Sequence, residues 1–271
     1  MSPNLRRWLP RAFLLLAVAV ATTGCKSNAF TRMGMTPPVT RQGHVTLTMW
    51  QGSWIAAWAV GIVVWGGILW AITFHRRRGD QLPHQVRYNL PIEILYTVLP
   101  FIMVGVIFYF TARDERYITQ NRANPNVVVN VVGEQWTWQF AYPQYAVHSP
   151  KWPYSQVTEV GAMYNPDLPP RQQHLPLLEI PEHEWVQFNL RSPDVVHSFW
   201  VVEFEFKRQV IPGFRNRFTV YPTQTGSFIG RCGELCGVYH SRMLFRIDIV
   251  TPARFRQWIA GQQRQQISGG V

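Results

Sequence analysis

From about Met49 to Phe74 the chain runs MWQGSWIAAWAVGIVVWGGILWAITF without one charged residue. That exceeds the roughly 20 apolar residues a helix needs to cross a hydrocarbon core. Inside lipid a backbone must satisfy its own hydrogen bonds, so a membrane helix is predicted here. Trp50, Trp54 and Trp70 stand near its ends, where amphipathic rings meet the headgroups. A second apolar segment runs from about Pro91 to Ala112, with Glu93 as its only charge. The connecting loop carries Arg76, Arg77, Arg78 and Arg87. Basic residues are retained in the cytoplasm, so this loop is expected there, and both flanks of the 49–113 hairpin are expected outside.

Residues 1–25 follow the grammar of a secretory leader: a basic start, an apolar stretch from Ala12 to Ala21, then small residues. The ending Thr22-Thr23-Gly24-Cys25 resembles a bacterial lipoprotein cleavage box, which makes Cys25 a candidate for lipidation and membrane lipid a partner. Thr22 stands where that box usually has Leu, Val or Ile, and ordinary signal cleavage nearby is the alternative. Residues 26–48 are then an extracytoplasmic N-terminal segment.

The formal net charge of +11 is unevenly placed. Eleven Lys and Arg precede residue 116; beyond it fifteen basic residues face eleven acidic ones, leaving +4. The excess therefore reports membrane orientation, and nucleic acid is not expected as a partner. A charged fraction of only 15%, with twelve Trp and sixteen Phe, excludes a disordered chain and calls for a large aromatic core as well as membrane interfaces.

From about Asn126 the pattern changes to period two, in VVVNVVGEQWTWQF, EWVQFNL, VVHSFWVVEFEF, RFTVYP, GSFIGRC and MLFRIDIV. Short β-branched and aromatic runs broken by Pro and Gly predict an antiparallel β-sandwich or barrel over 114–251. Residues 141–178, rich in Pro, Tyr and Gln, read as a long insertion of undefined shape. In 252–271, Thr251 can cap a helix with Pro252 at its first position, and Phe255, Trp258 and Ile259 share a face.

The chemistry concentrates in Cys232-Gly-Glu-Leu-Cys236-Gly-Val-Tyr-His240-Ser-Arg-Met243. Two thiols, an imidazole and a thioether within twelve residues form a soft donor set, which selects copper or zinc over hard cations. A structural zinc site uses four strong ligands and has little use for Met, so the thioether points to copper. One blue-copper ion needs a single Cys and two His. The second Cys suggests two ions sharing two sulfurs, each with a terminal imidazole, and His197 in Asp194-Val-Val-His197-Ser-Phe-Trp is the candidate for the second. Taken alone, Cys232 and Cys236 would read as a disulfide in an oxidising compartment, and His197 as a structural histidine. His44, His75, His84, His148, His174 and His183 lack a Cys or Met partner pattern and read as surface or interface residues.

With these residues in view, the sequence from about residue 45 onward resembles subunit II of haem-copper cytochrome c oxidases. The ligand loop, the D-x-x-H-S run, the G-x-Q-W-x-W run at Gly133 to Trp138 and the preceding hairpin carry the resemblance. It implies a cupredoxin β-sandwich with a dinuclear, mixed-valence CuA centre on His197, Cys232, Cys236, His240, Met243 and the Glu234 backbone carbonyl. It further implies that the Glu234 carboxylate reaches a magnesium ion shared with subunit I, and that electrons from a cytochrome c arrive at Trp136. By alternation Trp136 and Trp138 are expected on one face of a strand, where core filling is the plainer reading. The family also places Glu93 at the cytoplasmic mouth of a proton-uptake path; a first-turn carboxylate favoured by the helix dipole is the plainer reading. Electrons would pass on to the haem of subunit I for oxygen reduction coupled to proton translocation, in a bacterial cell membrane.

Departures from the family pattern are Phe140 where Tyr is frequent, Gln209 where an acid is common near the magnesium, and the length of 141–178. Nor is the outer domain acidic, which a soluble basic cytochrome c would favour; a tethered or fused cytochrome c domain is the expected alternative donor. Two rival classes fit less well. A thioredoxin-like copper-delivery protein needs βαβ alternation and usually Pro after the first Cys, where this chain has Gly233. The copper domain of a nitrous oxide reductase would follow a large upstream domain.

Overall fold

The computed structural model describes residues 28–76, 79, 86–149 and 152–267. The leader, Cys25, and Arg77 and Arg78 of the basic loop lie outside the described residues. Residues up to Pro37 form one unit, in which Asn28–Thr31 make a single helical turn; Pro38 onward forms the other.

Two long helices open the second unit: α1, Arg41–Phe74, and α2, Leu90–Thr119. Both are long and apolar enough to cross a membrane. Each extends beyond the apolar window read from the sequence. At about 1.5 Å per residue the 34 residues of α1 exceed a hydrocarbon core of about 30 Å, and its surplus lies at the polar start. There Thr40 caps the helix by accepting from the Gly43 N–H at 3.0 Å, and Gln42 and Gly43 are buried. A Cβ on Gly43 would meet the Phe204 carbonyl at 3.0 Å, so glycine lets the helix lie against the β domain. Gln42 Oε1 accepts from the Tyr221 N–H at 3.0 Å, the Arg41 N–H donates to the Tyr221 carbonyl at 3.0 Å, and the Val39 N–H donates to the Glu203 carbonyl at 3.0 Å. The Arg41 guanidinium lies 3.7 Å from the Tyr221 ring centroid.

Ten strands build the β domain: β1 Val127–Glu134, β2 Thr137–Ser149, β3 Trp152–Val160, β4 Leu177–Pro181, β5 Val186–Arg191, β6 His197–Val201, β7 Phe206–Val210, β8 Asn216–Val220, β9 Gly226–Cys232 and β10 Leu244–Val250. They form two five-stranded sheets, ordered β3-β2-β1-β5-β8 and β4-β10-β9-β6-β7. The sandwich is not purely antiparallel, because β1 pairs β5 and β10 pairs β4 in parallel. Within 141–178 the chain is more regular than its composition suggested: β2 runs on to Ser149, β3 returns beside it, and β4 begins at Leu177.

Alternation drives the packing. Val127, Val129 and Val131 of β1, Phe188 and Leu190 of β5, and Phe245 and Ile247 of β10 all point inward and are buried. On the inner face of each sheet rings stack, Phe188 on Phe218 at 4.9 Å and Phe199 on Phe245 at 5.0 Å, and Phe188 meets Phe199 across the sandwich at 5.3 Å. The final helix α3, Pro252–Ile267, buries Phe255 and Ile259 and sets Trp258 at 5.3 Å from Tyr142 of β2.

Candidate metal centre

His197 opens β6, and Cys232 closes β9, which pairs antiparallel with β6 through Phe199 opposite Cys232. The ligand loop leaves β9 at Cys232 and returns through one helical turn, His240–Arg242, to Met243 at the head of β10. Two backbone bonds fix its base: the Cys232 N–H donates to the Met243 carbonyl at 3.1 Å, and the Gly233 N–H donates to the Ser198 carbonyl at 2.9 Å. The rigid sheet thus carries the first candidate donor and both ends of the loop that carries the rest.

Donor atoms converge in this pocket. Cys232 Sγ and Cys236 Sγ are 3.8 Å apart and both cysteines are free, against about 2.05 Å for a disulfide. His197 Nδ1 lies 3.8 Å from Cys232 Sγ, His240 Nδ1 3.6 Å from Cys236 Sγ, and Met243 Sδ 3.8 Å from Cys236 Sγ. The Glu234 carbonyl lies 3.2 Å from Cys232 Sγ. His197 and Met243 are wholly buried and both cysteines nearly so. The sulfur spacing is less than twice a metal–thiolate bond of about 2.3 Å, so both sulfurs can reach a common ion. The donors present therefore fit soft-metal ligation.

Asp194 orients His197. Its Oδ1 lies 2.9 Å from His197 Nε2, which leaves Nδ1 for the sulfurs, the usual carboxylate support of a ligating imidazole. Asp194 also accepts from the backbone N–H of Gln135 at 2.7 Å and of Val195 at 2.6 Å, and from Ser192 Oγ at 3.0 Å. Burial pushes its carboxyl up, but these hydrogen bonds outweigh that and hold it at about 2. Burial likewise pushes the Cys232 thiol up, and contacts with His197 and the neighbouring backbone bring it down to about 7. Cys236, buried beside the charge of Cys232, is pushed up to about 12. One thiolate forms readily and its charge keeps the other sulfur protonated until a cation arrives.

Trp136 and Trp138 do not share a face of one strand. The run Val127 to Phe140 is two antiparallel strands, and Trp136 falls in the turn between β1 and β2. It leans over the ligand loop, with its ring centroid 4.9 Å from that of Tyr239 and its indole against Gly237. Gly237 has φ +131°, a backbone conformation that favours glycine, and a Cβ there would press on the indole at 3.1 Å. Trp138 is fully buried and donates from Nε1 to the Met243 carbonyl at 3.3 Å. Glu234 is partly exposed. Glu93 lies in the first turn of α2, where its Oε1 accepts from the Asn89 N–H at 3.0 Å.

Three contributors went unassigned in the sequence. Asp194 was discoverable, since a carboxylate three residues before a ligating His is a recognisable spacing. Gln135, whose Nε2 donates to the Cys236 carbonyl at 2.8 Å, and Tyr164, whose N–H donates to the Arg242 carbonyl at 3.0 Å, gave no local signal. The Tyr164 contact shows that the segment after β3 braces the ligand loop.

A ten-stranded sandwich with a buried His-Cys-Cys cluster at one end, preceded by two membrane-capable helices, defines a cupredoxin-like domain with copper-site-like residues. Residues 127–250 match the family model described as cytochrome c oxidase subunit II, periplasmic domain. The chain belongs to the cytochrome c oxidase subunit 2 family. It is 42% identical to a probable cytochrome c oxidase subunit 2 of Streptomyces avermitilis over 100% of this chain and 94% of the relative. It is 33% identical to cytochrome c oxidase subunit 2 of Mycobacterium bovis over 95% of this chain and 82% of the relative. Among solved structures, the periplasmic domain of subunit II of cytochrome oxidase from Bradyrhizobium japonicum matches with a TM-score of 0.44 and 25% identity, covering 52% of this chain and 96% of that one.

Proposed function

We propose that His197, Cys232, Cys236, His240, Met243 and the Glu234 carbonyl hold two copper ions as a CuA centre, and that the chain relays electrons from a cytochrome c to the haem of subunit I. The observation that carries this reading is the pair of unbridged sulfurs 3.8 Å apart, flanked by two imidazole Nδ1 atoms and one thioether. When bound, such a pair supplies a one-electron carrier whose charge is spread over two metals and two sulfurs.

The chain's own residues supply the rest. Asp194 keeps His197 in one tautomer, and the Trp138 N–H pins the carbonyl of Met243, so the donors are held before metal arrives. Burial of His197, Cys232, Cys236 and Met243 excludes water and limits solvent reorganisation when charge changes. Trp136, partly exposed and resting on the ligand loop, is the proposed point where electrons arrive, with Trp138 behind it in the core. The Glu234 carboxylate is proposed to face a magnesium ion shared with subunit I, and Glu93 to open the proton-uptake path. The outer domain is proposed to lie on the extracytoplasmic side, and its shortage of acidic residues favours a tethered or fused cytochrome c domain as donor. Cys25 is proposed to carry lipid as the first residue of the mature chain, after removal of the residues before it.

Electron paramagnetic resonance of the copper-loaded full chain tests the centre. One unpaired electron shared by two copper nuclei gives a seven-line hyperfine pattern. A four-line blue-copper spectrum refutes the dinuclear assignment.

A further inference from the structure

We propose that the outward face of β1, β5 and β8 is a docking trough for an acidic polypeptide segment of a partner protein. Alternation on β5 turns Gln187, Asn189 and Arg191 outward while Val186, Phe188 and Leu190 fill the core. The register places Asn130, Asn189 and Arg217 side by side across three strands. These residues, with Arg191, Arg215 and Asn216, line a concavity of about 760 Å³. A second concavity, of about 430 Å³, shares Gln187 and Arg217 and runs on to Arg122, just beyond the end of α2.

The floor is organised. Gln187 Nε2 donates to Asn189 Oδ1 at 2.9 Å, and Asn189 Nδ2 donates to Asn130 Oδ1 at 2.9 Å. Such an amide row matches the donors and acceptors of an extended peptide. The rim is cationic and uncompensated: among the described residues, Arg191, Arg215 and Arg217 have no carboxylate within 4.0 Å. Glu134, the one acid on β1, is engaged by Gln139 Nε2 at 2.6 Å. Like charges grouped across adjacent strands repel, and a bound carboxylate relieves that repulsion while gaining charge-assisted, bidentate hydrogen bonds.

Length selects a polypeptide over a lipid headgroup. From Gln187 to Arg191 the strand advances about 13 Å, enough for four or five extended residues. A phosphate near Arg122, where the chain leaves α2, falls short of Arg191 and Arg215 at the other end of the trough. The proposal is independent of the electron-relay reading, since none of these residues is a donor of the metal centre.

The test uses the full chain in nanodiscs of phosphatidylcholine and a fluorescent hexaglutamate peptide, read by anisotropy. The peptide is expected to bind with an affinity that falls as salt rises, and the R191Q/R215Q/R217Q variant to lose on the order of tenfold. The corresponding Lys variant should keep most of the binding, and an unchanged circular dichroism spectrum verifies folding in each case. Should the triple Gln variant lose that spectrum, Arg217→Glu alone, at an exposed strand position, gives the same reading. Undiminished binding by the Gln variant or by R217E overturns the proposal. So does equal competition by free glutamate or inorganic phosphate, which marks a free-anion site, or displacement of the peptide by phosphatidylglycerol vesicles, which marks a lipid site.

Discussion

Asp194 stands directly behind His197: its Oδ1 is 2.9 Å from Nε2, while Nδ1 of the same ring faces Cys232 Sγ at 3.8 Å. Removing the carboxylate frees the imidazole to rotate and to take the wrong tautomer. Asp194→Ala is therefore expected to lower copper affinity by about 10–100-fold, measured by competition with a chelator of known affinity.

The same carboxylate sets an acid limit. Its ordinary value of 3.8 is lowered to about 2 in the folded chain. A group so shifted stabilises the fold fully above its unfolded value, and that contribution is lost as pH falls from about 4 towards 2. Thermal unfolding of the metal-free protein should show a step in this window, and D194A should lack it.

Copper loading has its own pH dependence. Both sulfurs must be deprotonated to bridge metal, and Cys232, held at about 7, ionises first. Loading is expected to release protons and to weaken steadily as pH falls below 7. A loading curve flat between pH 5 and 8 contradicts this.

Trp136 offers a separable test. Its indole rests on Gly237 and Tyr239 and contributes nothing to the donor set. Trp136→Ala should leave the copper spectrum in place while slowing reduction by the donor, with a docking loss on the order of 2 kcal/mol. Stopped-flow reduction at several salt concentrations measures it.

Glu93 can be resolved by two substitutions. Glutamine keeps an oxygen to accept from the Asn89 N–H but cannot titrate; alanine removes both functions. Proton uptake through Glu93 requires E93Q to slow turnover of the assembled oxidase as much as E93A does. A purely capping role leaves E93Q near wild type and costs E93A about 1 kcal/mol.

Much of this was readable before the fold. Long apolar runs reveal membrane-capable helices, and the ligand loop is compact enough that local spacing identifies four candidate donors. His197, thirty-five residues before Cys232, was reached from the need for a second imidazole and from its place in a β-patterned run. What escaped notice depended on tertiary pairing. The turn at Gln135 and Trp136 interrupts a run whose alternation looked continuous, so one predicted strand became two. The β2–β3 hairpin hid behind Pro and Gln because its partner strand, not its own propensity, determines its course. Parallel pairing of β1 with β5 cannot be read from period-two patterning, which is identical for either direction.

The attachment at Val39 to Gln42 has a mechanical consequence. The first turn of α1 is hydrogen-bonded to Tyr221 and the segment before it to Glu203, so no swivel separates the bilayer from the sandwich. With α1 set in a bilayer, as proposed, this bracket holds the sulfur pair at one height above the lipid. Loosening this bracket is expected to blur an electron-tunnelling distance while leaving the metal pocket itself untouched.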